Sequence, residues 1–155
     1  MPIKSFQGER AKKVRVTHSK LTVSDIMTSQ LVIFSPEQSI HEVMRAFIKH
    51  RISGGPVVDE SGQLVGVISE ADCMKEISDS RYFNLPILDK SVAHFMTDKV
   101  DTIDANTSVF DAAALFSKSS RRRYPVMDNK RLVGQVSRKD IVIAALEMKS
   151  QTWRA

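Results

Sequence analysis

The chain has 155 residues, 42% of them hydrophobic, one cysteine and a net charge of +5. That length suits one domain, or two small units sharing a core. The longest unbroken apolar run, Ile141 to Leu146, falls far short of the ~18 residues a membrane helix needs, and a lone Cys73 excludes an intrachain disulfide.

The charge is placed unevenly. Residues 1–20 carry Lys4, Arg10, Lys12, Lys13, Arg15 and Lys20 against Glu9 alone, while the rest of the chain balances. This arm reads as a solvated terminus, with contact to nucleic acid or an anionic surface as the alternative. No apolar run follows its charges as in a secretory signal, and it lacks the acid-free regularity of a transit peptide, so the cytoplasm is the expected compartment.

Beyond the arm, Val23–Met27 reads as a short helical turn and "LVIF" (31–34) as a brief strand. Ile40, Val43, Met44, Phe47 and Ile48 then recur with helical spacing on one apolar face, with Ser39 as the N-cap. "GPVVD" (55–59) and "LVGVIS" (64–69), joined by an Asp/Gly turn, form an expected hairpin, and a second helix opens at Ser69. Residues 79–89 read as a linker. The order then recurs: a turn at Val92–Met96, a strand in "VDTI" (100–103), and a helix with Val109, Ala112, Ala113 and Phe116 inward and Ser108 as its cap. A second hairpin follows, and a last helix opens at Ser137 before a tail at 149–155.

The recurrence is written in the residues themselves. "LVGVISEAD" (64–72) returns as "LVGQVSRKD" (132–140), "VSDIMT" (23–28) as "VAHFMT" (92–97), and "PVVD" (56–59) as "PVMD" (125–128). The last two pairs are 69 residues apart and the first 68, because the turn "DESGQ" loses one residue in "DNKR". The repeats span about residues 21–78 and 90–148, each reading β-α-β-β-α. One copy of about 55 residues buries too little apolar surface to be secure alone, so the expected fold is mixed α/β (α+β), two copies packed sheet to sheet about a pseudo-twofold.

On the residues alone, two readings of the repeated Ser-x-x-Asp stay open. A Ser N-cap with an acid three residues on is close to a capping box, although such boxes favour Glu or Gln over Asp. Equally, a strand running into a helix N-terminus offers free N–H groups to a phosphate, and a carboxylate there can accept from a ribose diol. Other residues carry less. The histidines His18, His41, His50 and His94 have no metal-ligand spacing. Cys73 reads as a small core residue, and there is no Walker loop or G-x-S-x-G. Tyr82, Phe83 and Trp153 suit an interface but are too few for a nucleic-acid stacking platform.

"RISGGPVVDESGQLVGVISEAD" and "RRRYPVMDNKRLVGQVSRKD" together resemble the CBS (cystathionine beta-synthase) domain, and the chain resembles one tandem pair, a Bateman module. The resemblance implies a non-catalytic sensor of AMP, ADP, ATP or a related adenosyl compound, with no cofactor required. It also implies a homodimer and a regulated partner on a separate chain. One ligand cleft would join Ile33, Ser53, Gly54, Gly55 and Pro56 to Ser137, Lys139 and Asp140, with Asp140 on the ribose and Ser137 and Lys139 toward the phosphate. Gly54 and Gly55 leave room for a flat base, and Pro56 biases Gly55 toward extended backbone. A second cleft would join Thr102, Arg122, Arg123, Tyr124 and Pro125 to Ser69 and Asp72, where Glu70 opposes a highly charged ligand. The competing functions are nucleic-acid binding through the arm and Arg121–Arg123, an enzyme acting on nucleotides, for which no base, nucleophile or metal set is evident, or an adaptor with empty clefts.

Overall fold

The computed structural model describes residues 21–83 and 90–152. The basic arm, most of the linker and Trp153 lie outside the described residues. The fold is mixed α and β, with six helices and two sheets among the described residues. The helices are α1 (Val23–Ile26), α2 (Ile40–His50), α3 (Glu70–Phe83), α4 (Val92–Phe95), α5 (Val109–Lys118) and α6 (Arg138–Thr152). The strands are β1 (Gly54–Val58), β2 (Leu64–Ser69), β3 (Ile103–Asp104), β4 (Arg123–Asp128) and β5 (Arg131–Ser137).

Two compact units emerge, and they do not coincide with the sequence repeats. Among the described residues, the first takes the chain up to Ser29, Thr102–Asn129 and the residues from Val133 on; the second takes Gln30–Asp101 with Lys130–Leu132. Each unit thus holds the helices and most of the hairpin of one repeat together with the lead-in turn of the other.

In the second unit, α2 buries Ile40, Val43 and Phe47, and Ser39 Oγ accepts from the Glu42 amide as expected. Ile48, expected on the same face, is 81% exposed. At about 100° per residue it stands at the margin of the arc centred on Ile40 and Phe47, where the chain is turning out through Arg51 in the left-handed region. β1 and β2 pair antiparallel, with Gly54 opposite Ser69. The strand expected over 31–34 shrinks to one parallel bridge, Phe34 to Val57. Its limit is chemical: Ser35 N–H turns to Gln38 Oε1 at 2.8 Å, and Pro36 has no N–H to continue a ladder.

The lead-in turn of the second repeat completes this unit. Val92 is fully buried in its core. The Val92 and Ala93 amides donate to the Gln38 and Pro36 carbonyls at 2.8 and 3.0 Å, and Thr97 exchanges two 2.9 Å bonds with Val67 of β2. Gly66 makes that approach possible, because a Cβ there would lie 2.7 Å from Met96 Sδ and 2.9 Å from the Thr97 carbonyl.

The first unit repeats the plan with the roles exchanged. Its core gathers Val23, Val109, Ala112, Phe116, Tyr124, Val136 and Ala144. The Ser108 cap accepts from the Asp111 amide at 3.0 Å. β3 is only Ile103–Asp104, overlapping the expected 100–103 strand at Ile103 alone, and pairs in parallel with β4, which joins β5. Val23 N–H donates to Thr107 O at 2.8 Å, and Thr28 exchanges two 2.9 Å bonds with Gln135 of β5. Here a Cβ on Gly134 would meet Met27 Sδ at 2.5 Å and the Thr28 carbonyl at 2.7 Å. The one-residue deletion between the hairpins leaves a turn in which Asn129 and Lys130 both have positive φ, the backbone of a tight two-residue connection.

Candidate functional site

Both repeated Ser-x-x-Asp motifs fold into the junction between a hairpin and a long helix. At the start of α3, Asp72 Oδ2 accepts from the Ser69 amide at 2.8 Å and from its hydroxyl at 3.0 Å, while the Asp72 amide donates to Ser69 Oγ at 3.4 Å. At the start of α6, Asp140 Oδ2 accepts from the Ser137 amide at 2.8 Å and Ser137 Oγ accepts from the Asp140 amide at 3.2 Å. Both are reciprocal capping boxes built with Asp, so the capping reading describes the local geometry. Each carboxylate has about four acceptor positions, and these bonds use only Oδ2. Capping therefore leaves Oδ1 able to take a ligand hydroxyl.

The two junctions differ in charge and in hydroxyl use. The Ser69 hydroxyl donates to Asp72, whereas Ser137 Oγ acts as an acceptor. Glu70 and Ala71 follow Ser69, and both are exposed; Arg138 and Lys139 follow Ser137, also exposed. Each junction is tied to the segment ahead of its hairpin: Glu70 N–H donates to Ser53 O at 2.9 Å, and Arg138 N–H to Arg122 O at 3.1 Å. In the second repeat Arg138 Nε adds a bond to Arg121 O at 2.9 Å.

The remaining expected site residues divide between the units. Ile33 (53% exposed), Ser53, Gly54, Gly55 and Pro56 share the second unit with Ser69 and Asp72. Thr102, Arg122, Arg123, Tyr124 and Pro125 share the first with Ser137, Lys139 and Asp140. The residues of each expected cleft are therefore divided between the two units.

The space at Gly54 and Gly55 differs from the expectation, and the Tyr124 side chain lies in the core. A Cβ on Gly55 would lie 2.8 Å from both the Phe34 ring and the Val32 carbonyl, and one on Gly54 would lie 2.9 Å from the Ile68 carbonyl. The space these glycines spare is taken by the chain itself, so close packing and not room for a base accounts for them. Tyr124 is 2% exposed, tilted against Phe116 with its hydroxyl donating to Ser119 Oγ at 2.7 Å. Its side chain is core, which leaves only its backbone for a ligand.

Cys73 is buried, and its thiol is pushed up to about 11 by that burial and then by the nearby charges of Asp72 and Glu70. A thiol so disfavoured as thiolate is a packing residue. His94 Nδ1 lies 2.9 Å from Ser91 Oγ, and among the described residues no group of three His, Cys, Asp or Glu could hold a metal ion. No helix among them is long and apolar enough to cross a membrane.

Sequence reasoning missed the Arg138–Arg121 bond and a buried acid. Glu76, on the inner side of α3, is 2% exposed, with Oε1 3.3 Å from Lys90 Nζ, a contact of charge without an aligned hydrogen bond. The repeat carried a signal for it. The 68-residue offset that aligns the hairpins puts Glu76 on Ala144, which is buried in the other core.

Comparison with known proteins places these observations in a family. The CBS domain family matches twice, at residues 23–79 and 92–147. The chain belongs to that family. The crystal structure of CBSX2 in complex with AMP is 30% identical, with a TM-score of 0.73 over 83% of this chain and 98% of that one. The CBS domain pair of protein MJ0100, in complex with 5-methylthioadenosine and S-adenosyl-L-methionine, is also 30% identical, with a TM-score of 0.69 over 82% of this chain and 97% of that one. CBSX1, a chloroplastic protein of Arabidopsis thaliana, is 30% identical over 83% of this chain, which spans only 65% of its length.

Proposed function

We propose that this protein is a non-catalytic regulatory module that binds an adenosyl ligand at the two Ser-x-x-Asp junctions and passes the bound state to a separate partner chain. The observation that carries this reading is the doubled junction itself. It occurs in a CBS pair whose 30%-identical structural neighbours hold AMP in one case and 5-methylthioadenosine with S-adenosyl-L-methionine in the other. Asp140 Oδ1 accepts from the ribose diol while Oδ2 keeps the cap, and Ser137 and Lys139 take the phosphate at the helix start. The expected contacts Ile33 and Ser53–Pro56 belong to the same proposal. The Ser69–Asp72 junction, with Thr102, Arg122, Arg123 and the backbone of Tyr124 and Pro125, forms the second cleft. Its Glu70 disfavours phosphate, so the Ser137–Asp140 junction takes the anionic ligand. Signalling follows from linkage: a ligand that binds two arrangements unequally shifts their populations, and a partner reads the shift. A cytoplasmic homodimer belongs to the same proposal.

The test is a thermal-shift series with AMP, ADP, ATP and S-adenosylmethionine at fixed salt. A ligand at about 100 times its Kd adds about 2.7 kcal/mol of stability. Asp140→Asn should keep the cap, because the amide oxygen still accepts from Ser137 N–H, but abolish most of the AMP shift. An AMP shift equal in the variant and the parent would remove Asp140 from the site. The completed capping boxes favour one rival, an adaptor with empty clefts, which predicts no shift with any of these compounds.

A further inference from the structure

We infer that Arg138 is a positioning residue that couples the arginine segment 121–123 to the ligand junction at the start of α6, so that a ligand held at Ser137 and Asp140 orders that segment. The inference rests on the functional reading above. Its basis is a double grip. Arg138 N–H donates to the Arg122 carbonyl at 3.1 Å, and the Arg138 guanidinium Nε donates to the Arg121 carbonyl at 2.9 Å, across 17 residues of sequence. One residue therefore holds two consecutive peptide groups with its backbone and its side chain, and its immediate neighbours are Ser137 and Lys139.

The first repeat shows that the side-chain half of this grip is not required by the fold. Glu70 occupies the same position, and its amide makes the equivalent backbone bond to Ser53 O at 2.9 Å. A carboxylate cannot donate the second bond. The same strand-to-helix junction thus forms with one tie in one repeat and two in the other.

The local charges oppose an arginine here. A cation in the first turn of α6 opposes the helix dipole, and it stands beside Lys139 and bonds the Arg121–Arg123 segment. An anion bound at Ser137 and Lys139 offsets both repulsions, and the grip then carries that gain to residues 121 and 122. The far side of the segment is already anchored: the Arg121 amide donates to Ser119 Oγ at 3.3 Å, and the buried Tyr124 hydroxyl donates to the same oxygen at 2.7 Å. The segment hangs between a fixed point at the end of α5 and a ligand-dependent one at the start of α6. Arg122, exposed in its middle, is the side chain whose presentation the ligand controls.

Hydrogen–deuterium exchange on the full chain, with and without AMP, tests this in the parent, Arg138→Lys and Arg138→Ala. In the parent, AMP should slow exchange at residues 137–141 and also at 119–124. Both variants should keep the protection at 137–141 and lose that at 119–124 by about 2- to 10-fold, the equilibrium factor of one net hydrogen bond. Lysine keeps the charge but not the Nε geometry, so rescue by Arg138→Lys would show that charge alone suffices and overturn the positioning role. Unchanged protection at 119–124 in both variants also overturns it. AMP protection absent everywhere in the parent would instead defeat the functional reading, and the coupling with it. The readout is the ligand-induced difference, which a merely structural bond does not move.

Discussion

Gly134→Ala tests the exchange of lead-in turns between the repeats. A Cβ at this position would stand 2.5 Å from Met27 Sδ and 2.7 Å from the Thr28 carbonyl. The thioether can swing away, but the carbonyl is held by its 2.9 Å bond from the Gln135 amide, next to the substituted residue. Forcing an extra methyl into such packing costs about 1–3 kcal/mol, partly offset by the 0.5–1 kcal/mol or so that a strand gains when glycine is replaced. The net loss should be up to about 2.5 kcal/mol, or up to roughly 10 °C in Tm for a chain of this size. Gly66→Ala should behave alike but more mildly, since its contacts are Met96 Sδ at 2.7 Å and the Thr97 carbonyl at 2.9 Å. Double-mutant cycles in urea then identify the partners. Met27→Ala should be coupled to Gly134→Ala, and Met96→Ala to Gly66→Ala, by about 0.5–3 kcal/mol, whereas the crossed combinations should add within about 0.5 kcal/mol. If Gly134 coupled to Met96 in place of Met27, each lead-in turn would pack on its own repeat and the exchange would be refuted. Additivity throughout would refute the packing argument itself.

Two further experiments probe the second unit. Lys90→Met strands the buried Glu76 carboxylate; breaking a fully buried pair costs about 3–5 kcal/mol, but the Lys90 side chain is 34% exposed, so a loss of about 1–3 kcal/mol is expected by denaturant titration. Adding Glu76→Ala, the residue of the equivalent position 144, should restore much of it, and a double variant no better than Lys90→Met would refute the pairing. Cys73 has its folded-state pKa raised from 9.0 to about 11. The folded state holds this proton more tightly than the unfolded one, so the contribution is fully present below pH 9 and declines as pH rises toward 11, by up to about 2–3 kcal/mol. Cys73→Ala should flatten stability over that window, and an unchanged slope would show that other groups set it.

The two helix faces, both Ser caps, both hairpins and both Ser-x-x-Asp junctions were legible in the residues because each depends on local spacing. The edges of those patterns were not. Ile48 satisfies i+8 from Ile40, yet a face has a limited arc and a helix an end. "LVIF" has strand composition, yet the proline two residues beyond Phe34 and the Gln38 side chain redirect the backbone. Lead-in exchange was invisible for a different reason: both repeats spell Met-Thr and Leu-Val-Gly, so either Met-Thr could meet either glycine. A repeat specifies a contact, and its own symmetry conceals which copy makes it. The same symmetry makes the departures informative. Glu76 against Ala144, and Glu70 against Arg138, are positions where one fold accepts opposite chemistry, so packing alone cannot be what selects them.

That contrast bears on how one ligand could matter in a chain built twice. A module with two equal junctions would respond to the total of bound ligand. Here the Ser69 hydroxyl is engaged by Asp72 at 3.0 Å and followed by Glu70 and Ala71, while Ser137 is followed by Arg138 and Lys139. On the proposed function, a phosphate therefore distinguishes the junctions by charge as well as by available donors, and favours the Ser137–Asp140 junction. The chain passes between its compact units at Ser29–Gln30, Asp101–Thr102, Asn129–Lys130 and Leu132–Val133, and the proposed contacts Ile33 and Thr102 fall at or just after the first two of those crossings. On the proposed function, a ligand touches the chain near two of these crossings. If it binds with different affinity as those joints move, linkage requires that the joints respond to it; if its affinity is indifferent to them, tight binding would transmit nothing.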